Sequence, residues 1–418
     1  MFLKVAGYSL LYRKFSVLLT ILSVTISTFV LLGIEHIRSE ARESFSNTVS
    51  GVDLIVGART GQLNLLLYSV FHIGHATNNI SWASYQALLA DQKLAWAIPI
   101  SLGDSHRGYR VVGTTGDFFT HYRYGEQQLL TFAAGHTLTH RFDVVLGTQV
   151  AKKLGYRLDD SIYLAHGIGQ TQFSLHDERA FNIVGILNPT GTPIDHALYI
   201  NLEGMEAIHL NWRDGVKLPS QSLLNTDIDA RSLTPKTITA IFVGLQTKMA
   251  TFQVQRQIND YRKEPLMAIL PGITLTELWQ ITRAMENTLQ LIAALVLLSS
   301  LLGLSTLLLS SIRERQREIA VLRAIGARPA FVFWMIELEA LLITLSGITL
   351  SLIALGVTTQ FAQTILAENY GLFITPFTLN PAALMVLGII IVGALLLAIL
   401  PAMSAYRASL HAGLALKQ

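Results

Sequence analysis

Four apolar stretches of this chain run for twenty residues or more without a charged side chain: Phe15 to Ile34, Thr288 to Ser311, Ala340 to Ala367 and Ala382 to Tyr406. About 20 helical residues cross the ~30 Å hydrocarbon core of a bilayer. Inside that core only a helix or a closed barrel satisfies its own backbone polar groups. Each stretch therefore predicts a transmembrane helix, and their spacing is uneven. Between the first two lies a polar segment, 35–287, of the size of one or two ordinary domains. The resulting fold class is an α-helical membrane protein with four transmembrane helices and a large α+β extracytoplasmic domain. That domain sits on a helical stalk between the first and second spans.

Cations set the orientation, because Lys and Arg accumulate in cytoplasmic loops and span flanks. Lys4, Arg13 and Lys14 precede the first span; Arg313, Arg315, Arg317, Arg323 and Arg328 follow the second; Arg407 and Lys417 follow the fourth. The loop after the third span has Glu368 and no cation. The chain thus divides into a cytoplasmic amphipathic N-terminal segment 1–14, a first span 15–34 and an outer domain with stalk helices 35–287. After these come a second span 288–311, a cytoplasmic helix and loop 312–330, a third span 331–367, an outer loop 368–381, a fourth span 382–406 and a cytoplasmic tail 407–418. The net charge of +3 does not indicate nucleic-acid binding, since the outer segment holds 21 cations against 23 carboxylates. The basic excess belongs to membrane topology. No cysteine is present, which excludes disulfides and thiolate metal sites. The first apolar run is longer than a secretory signal core, and Gly-Ile-Glu-His-Ile-Arg after it offers no clean cleavage site.

In the outer segment, strand-like composition marks Val52–Val56, Ala95–Ser101, Arg110–Gly113, Val144–Leu146, Phe181–Leu187, Ala197–Ile200 and Thr237–Gly244. Helical periodicity marks Leu63–Phe71, Trp82–Ala90, Thr148–Leu154, Leu202–Trp212 and Ala250–Tyr261. Asp214 to Pro235 reads as a long loop, and Thr274-Leu-Thr-Glu277 as a capping box opening a stalk helix. There is no internal repeat, and the four uncharged runs are neither clearly broken nor marked by ionisable groups in the manner of ion-coupled carriers.

The most informative stretch is Ser311-Ile-Arg-Glu-Arg-Gln-Arg-Glu-Ile-Ala-Val-Leu-Arg-Ala-Ile-Gly-Ala-Arg-Pro329. Ile319, Leu322 and Ile325 recur on one face, Gly326 supplies a residue free to take positive φ, and Pro329 bars continuation. Taken alone, this is a basic amphipathic helix suited to anionic lipid. Its wording closely resembles the signature that FtsX-like permeases carry after the second of four spans. Leu400-Pro-Ala-Met-Ser-Ala-Tyr-Arg407 resembles that family's ending after its last span. Val145–Gly155 and Asn188–Tyr199 resemble pieces of MacB-type outer domains.

The resemblance implies a coupling helix that docks into an ATPase, with Arg317, Glu318, Leu322, Arg323 and Gly326 as its contact residues. No Gly-x-x-x-x-Gly-Lys-Ser/Thr loop is present to cradle phosphates, so ATP and Mg belong on a separate ABC ATPase subunit and this chain is not itself an enzyme. Further implied partners are a second copy of the chain, membrane lipids and an envelope protein; the implied location is the bacterial cytoplasmic (inner) membrane, with both termini cytoplasmic. The cargo class is lipophilic, peptide-like or lipoprotein. An alternative is a mechanotransmitter that regulates an outer partner without transport, and another is a permease linked to zinc handling.

The zinc alternative rests on histidine. Eleven of the twelve histidines fall in the outer segment, where His136 and His140 would share one face of a helix and His72 and His75 stand three apart. Neutral imidazole is a common zinc ligand, although no third ligand is apparent near either pair. Val56–Leu65 with Phe71-His72 resembles a branch of these permeases linked to zinc supply, from which the chain departs at Gly74-His-Ala-Thr-Asn-Asn79. Asp143, Asp159, Asp160, Asp177 and Glu178 read as solvated carboxylates, and no nucleophile elbow or zincin helix appears.

Overall fold

The structure is a computed structural model that describes residues 12–166, 179–209, 212–213, 216–217, 233–315, 319, 321, 326–370 and 375–412. Two compact units emerge: Met1–Glu40 with Arg283–Thr364 and Ile374–Gln418, and Ala41–Thr282 with Ile365–Phe373.

Among the described residues four helices are long and apolar enough to cross a membrane. They are α1 (Lys14–Thr48), α8 (Pro271–Glu314), α9 (Pro329–Tyr370) and α10 (Pro381–Ala412), which makes this a multi-pass membrane protein. At 1.5 Å per residue, the 35 residues of α1 extend about 52 Å and the 44 of α8 about 66 Å. Both exceed a hydrocarbon core, so each carries a polar helical extension, the stalk. The opening of α8 differs from the sequence expectation. Pro271 begins the helix, its missing N–H costing nothing at the first position. Thr274 is already inside, its hydroxyl donating back to the Leu270 carbonyl at 3.2 Å, so the expected capping box does not form.

Within the membrane unit small and hydroxylated residues mediate helix contact, as expected where lipid offers no hydrophobic contrast. Ser23 of α1 meets Ser300 of α8 at 3.0 Å. A Cβ on Gly347 of α9 would sit 2.7 Å from a methyl of Val24, so glycine sets the α1–α9 approach. Pro401 lies inside α10 and cannot donate to the carbonyl four residues earlier, at Leu397. The Ser305 hydroxyl of α8 donates to that carbonyl at 3.1 Å. A backbone defect in one span is thus repaired by a side chain of another.

The other unit is built on a mixed sheet. Its main path uses β1 (Leu54–Ala58), β2 (Leu94–His106), β3 (Tyr109–Thr114), β4 (Phe132–Gly135), β5 (Asp143–Leu146), β6 (Phe181–Leu187), β7 (Ala197–Asn201), β8 (Ala240–Leu245) and β9 (Leu266–Ile269). Their order is β9-β1-β8-β2-β3-β7-β5-β6-β4. β3 with β7 and β5 with β6 are parallel, and the other neighbours on this path are antiparallel. Around the sheet pack α2 (Gln62–Val70), α3 (Trp82–Leu89), α4 (Asp117–His121), α5 (Thr148–Leu154), α6 (Leu202–His209) and α7 (Thr251–Asn259).

The strands read as unbroken apolar runs because both faces are covered. In β8, Ala240 and Phe242 enter one core with Tyr68, Tyr122 and Tyr199, while Ile241 and Val243 enter another with Leu54 and Val56. In β7, Tyr199 joins the first core, while Leu198 and Ile200 face a third around Val144 and Phe181. The expected helix Leu202–Trp212 ends at His209, and Trp212 instead lies in a short strand pair, Trp212–Arg213 with Val216–Lys217. The rest of the predicted 214–235 loop falls mainly outside the described residues.

Candidate functional site

The segment singled out by its sequence lies where α8 ends and α9 begins. Arg317, Glu318, Leu322 and Arg323 lie outside the described residues. Gly326 takes φ +100°, the left-handed region that favours glycine, and Pro329 starts α9. Ile319 is buried with Ile312 and Val332, whereas Val321 is 62% exposed. Ile319 therefore packs within the membrane unit, while Val321 faces outward.

Two ion pairs fix this end. Arg315 meets Glu339 of α9 at 3.0 Å with both side chains largely buried. Arg13 meets Glu314 at 3.0 Å and donates to the Ser311 carbonyl at 3.0 Å, satisfying the last turn of α8 and complementing its dipole. Glu337, also buried, lies two residues from Glu339. Composition alone pointed away from both glutamates, since they precede the uncharged run that begins at Ala340. Their signal was the position of carboxylates within a span, where ionisable groups are expensive and functional by default.

At the opposite end of the same unit, the outer loop after α9 is clipped to α1. His36 is buried; its Nε2–H donates to the Thr375 carbonyl at 3.1 Å and its ring meets Phe377 edge-on at 5.3 Å. The Glu40 carboxylate accepts from the Thr375 N–H at 2.7 Å and from its hydroxyl at 2.9 Å.

The histidine pairs do not converge. His136 follows β4 and His140 lies in a bend; the intervening residues are not helical, which removes the premise of a shared helix face. His136 and His140 are both exposed, and His75 is exposed while the His72 ring lines a small cavity with Tyr199 and Ser69. That burial, and secondarily the charge of Arg110, lower the His72 pKa to about 4. Among the described residues no three His, Asp or Glu side chains come together as a metal site. Nor is Asp143 a solvated carboxylate. It is buried and accepts from the Thr139 N–H and hydroxyl and the His140 N–H. Asp159 and Asp160 are exposed, in keeping with that reading, and Asp160 accepts from the Arg157 N–H. Asp177 and Glu178 fall outside the described residues.

Two other outer histidines are engaged by the fold. His209 donates from Nδ1 to the Met205 carbonyl at 2.8 Å and from Nε2 to the buried Asp104 carboxylate at 3.3 Å. Burial opposes its protonation, but the Asp104 bond and charge outweigh that and raise its pKa. His106 donates from Nδ1 to the Tyr163 carbonyl and accepts the Tyr156 hydroxyl at Nε2, and burial lowers its pKa.

The two outer motifs are neighbours in space. Gly147, which opens α5, receives the 188–199 loop so closely that a Cβ would lie 2.4 Å from the Ile194 carbonyl oxygen and 2.5 Å from that of Asp195. Inside that loop the fully buried Asp195 carboxylate accepts from the N–H and hydroxyl of Thr190 and the N–H of Gly191. Its pKa is nonetheless raised by burial.

Residues 17–261 match the MacB-like periplasmic core domain, and residues 291–410 match the FtsX-like permease C-terminal. The extracellular domain of the noncanonical ABC-type transporter YknZ from Gram-positive bacteria is similar at 8% identity and a TM-score of 0.31. That likeness covers 52% of this chain and 98% of that one, and is too slight to bear weight. Among curated proteins none matches the chain.

Proposed function

The chain belongs to the family of FtsX-like permeases with a MacB-like periplasmic core domain, and from that premise we propose that it couples ATP hydrolysis by a partner subunit to movement of its outer domain. The observation that carries this is the length of α8. It is one unbroken helix of 44 residues that begins at the outer domain and ends beside the 312–330 segment. A helix has few soft degrees of freedom along its axis, so displacement at one end appears at the other.

In this reading two copies of the chain sit side by side in the bacterial cytoplasmic membrane with both termini in the cytoplasm. Each 312–330 segment docks on a nucleotide-binding subunit. Arg317, Glu318 and Arg323 make charge-assisted contacts, Leu322 enters an apolar groove, and Gly326 ends the helix. Closure of the ATPases on ATP pushes the segment, and the Arg315–Glu339 and Arg13–Glu314 pairs share that push among α8, α9 and α1. The cargo is lipophilic, peptide-like or a lipoprotein.

Spin labels on a cysteine at Met249, which is 96% exposed on the outer unit, test this in the assembled complex. The distance between the labels of two protomers should differ between the ATP-trapped and ADP states. An unchanged distance distribution overturns the transmission reading.

A further inference from the structure

The N-terminal end of α1 and the C-terminal end of α8 enclose a groove of ≈ 250 Å³ whose lining includes Arg13, Lys14, Phe15, Leu307, Ser310 and Glu314. Its charge is unbalanced. Arg13 and Glu314 satisfy each other at 3.0 Å. Lys14 meets no carboxylate among the described residues and rests 5.4 Å over the Phe15 ring. The first turn of α1 has no acidic residue to offset it. Below the groove, Phe15, Leu18, Leu19, Leu22 and Ile26 form an exposed apolar track along α1. The volume is smaller than the 300–1,000 Å³ of pockets that enclose a drug-sized ligand, which suits a headgroup with its chains left outside.

We infer that this groove holds the phosphodiester headgroup of an anionic phospholipid of the cytoplasmic leaflet, with its acyl chains along the α1 track. The phosphate faces Lys14, and the glycerol oxygens face Ser310. The site rests on the membrane reading above and extends it, because the lipid bridges the two helices beside the coupling segment. A soluble phosphate ester carries the same charge but lacks the chains, so the two sources are separable.

Full-length protein is delipidated in detergent, and binding of dioleoylphosphatidylglycerol, dioleoylphosphatidylcholine and glycerol 3-phosphate is measured by native mass spectrometry. Phosphatidylglycerol should bind saturably and outcompete phosphatidylcholine, and millimolar glycerol 3-phosphate should not displace it. Lys14→Gln should weaken phosphatidylglycerol about five-fold, the factor for about 1 kcal/mol per cation at a membrane surface. Lys14→Arg should retain it, and Ser310→Trp should abolish it by filling the groove from an exposed position. Equal retention of the two lipids, displacement by glycerol 3-phosphate, or indifference to both Lys14→Gln and Ser310→Trp overturns the site. The readout is independent of membrane orientation and of any ATPase, so its failure leaves the coupling reading standing, and failure of that reading leaves this result standing.

Discussion

Gly147 cannot carry a Cβ, because the two carbonyl oxygens it would strike belong to backbone held by the buried Asp195. Gly147→Ala should therefore cost about 1–3 kcal/mol, the range for forced overpacking, and lower the Tm of the full-length protein in detergent without changing membrane insertion. Two histidines give the outer unit opposite pH dependences. The folded-state pKa of His72, about 4, lies below its ordinary 6.5. Between those values the unfolded chain binds the additional proton, so stability should rise with pH across that window and then level. The His209 value is raised. Its contribution is complete below pH 6.5 and lost as pH climbs through the raised value. Thermal unfolding against pH should show both arms. His72→Asn, which tolerates the left-handed backbone at φ 57°, should flatten the acid arm, and Asp104→Asn the alkaline one. Arms that persist in these variants would place the titrating groups elsewhere. Neither role was legible in the sequence. Spacing pointed to His72/His75 and His136/His140, whereas the partner of His209 is 105 residues away at Asp104.

Among the elements, the spans and most of the outer strands could be read directly, since uncharged runs and β-branched runs buried on both faces leave few alternatives. Phe181–Leu187 is an example, found with the bounds its composition predicts. The start of α8 could not, because Pro271 at the first helical position supplanted the Thr274–Glu277 signal. Helix-to-helix repairs are also invisible along the chain. Ser305→Ala should leave the Leu397 carbonyl unpaired and cost about 0.6 kcal/mol, the average for such bonds in membranes. In a Pro401→Ala background, where an intrahelical N–H is restored, the same change should cost little; equal costs in both backgrounds would contradict the repair. Arg315→Ala is the harsher change, since it strands Glu339 in a buried site. About 3–5 kcal/mol is typical for breaking a buried pair from one side. The swap Arg315→Glu with Glu339→Arg should recover part of that in thermal unfolding, and no recovery would show that the pairing itself contributes little.

For the whole molecule, topology and family agree on a permease, and the remaining claim is that force enters through the 312–330 segment. Orientation is testable because the chain lacks cysteine. Single cysteines at Met249 and Ser409 should react with an impermeant thiol reagent from opposite sides of the membrane; labelling of both from outside contradicts the orientation. The decisive test uses Leu322. Leu322→Asp puts an unpaired charge into the apolar groove proposed for the ATPase, which costs several kcal/mol at a dry contact. The change lies outside every span, so the permease should still insert. The measurement is copurification of the nucleotide-hydrolysing subunit with the full-length chain, together with its permease-stimulated ATP hydrolysis. The account predicts that both fall sharply in Leu322→Asp while membrane levels of the permease are unchanged. Wild-type association and stimulation in that variant would contradict it and leave the segment as a helix resting on lipid.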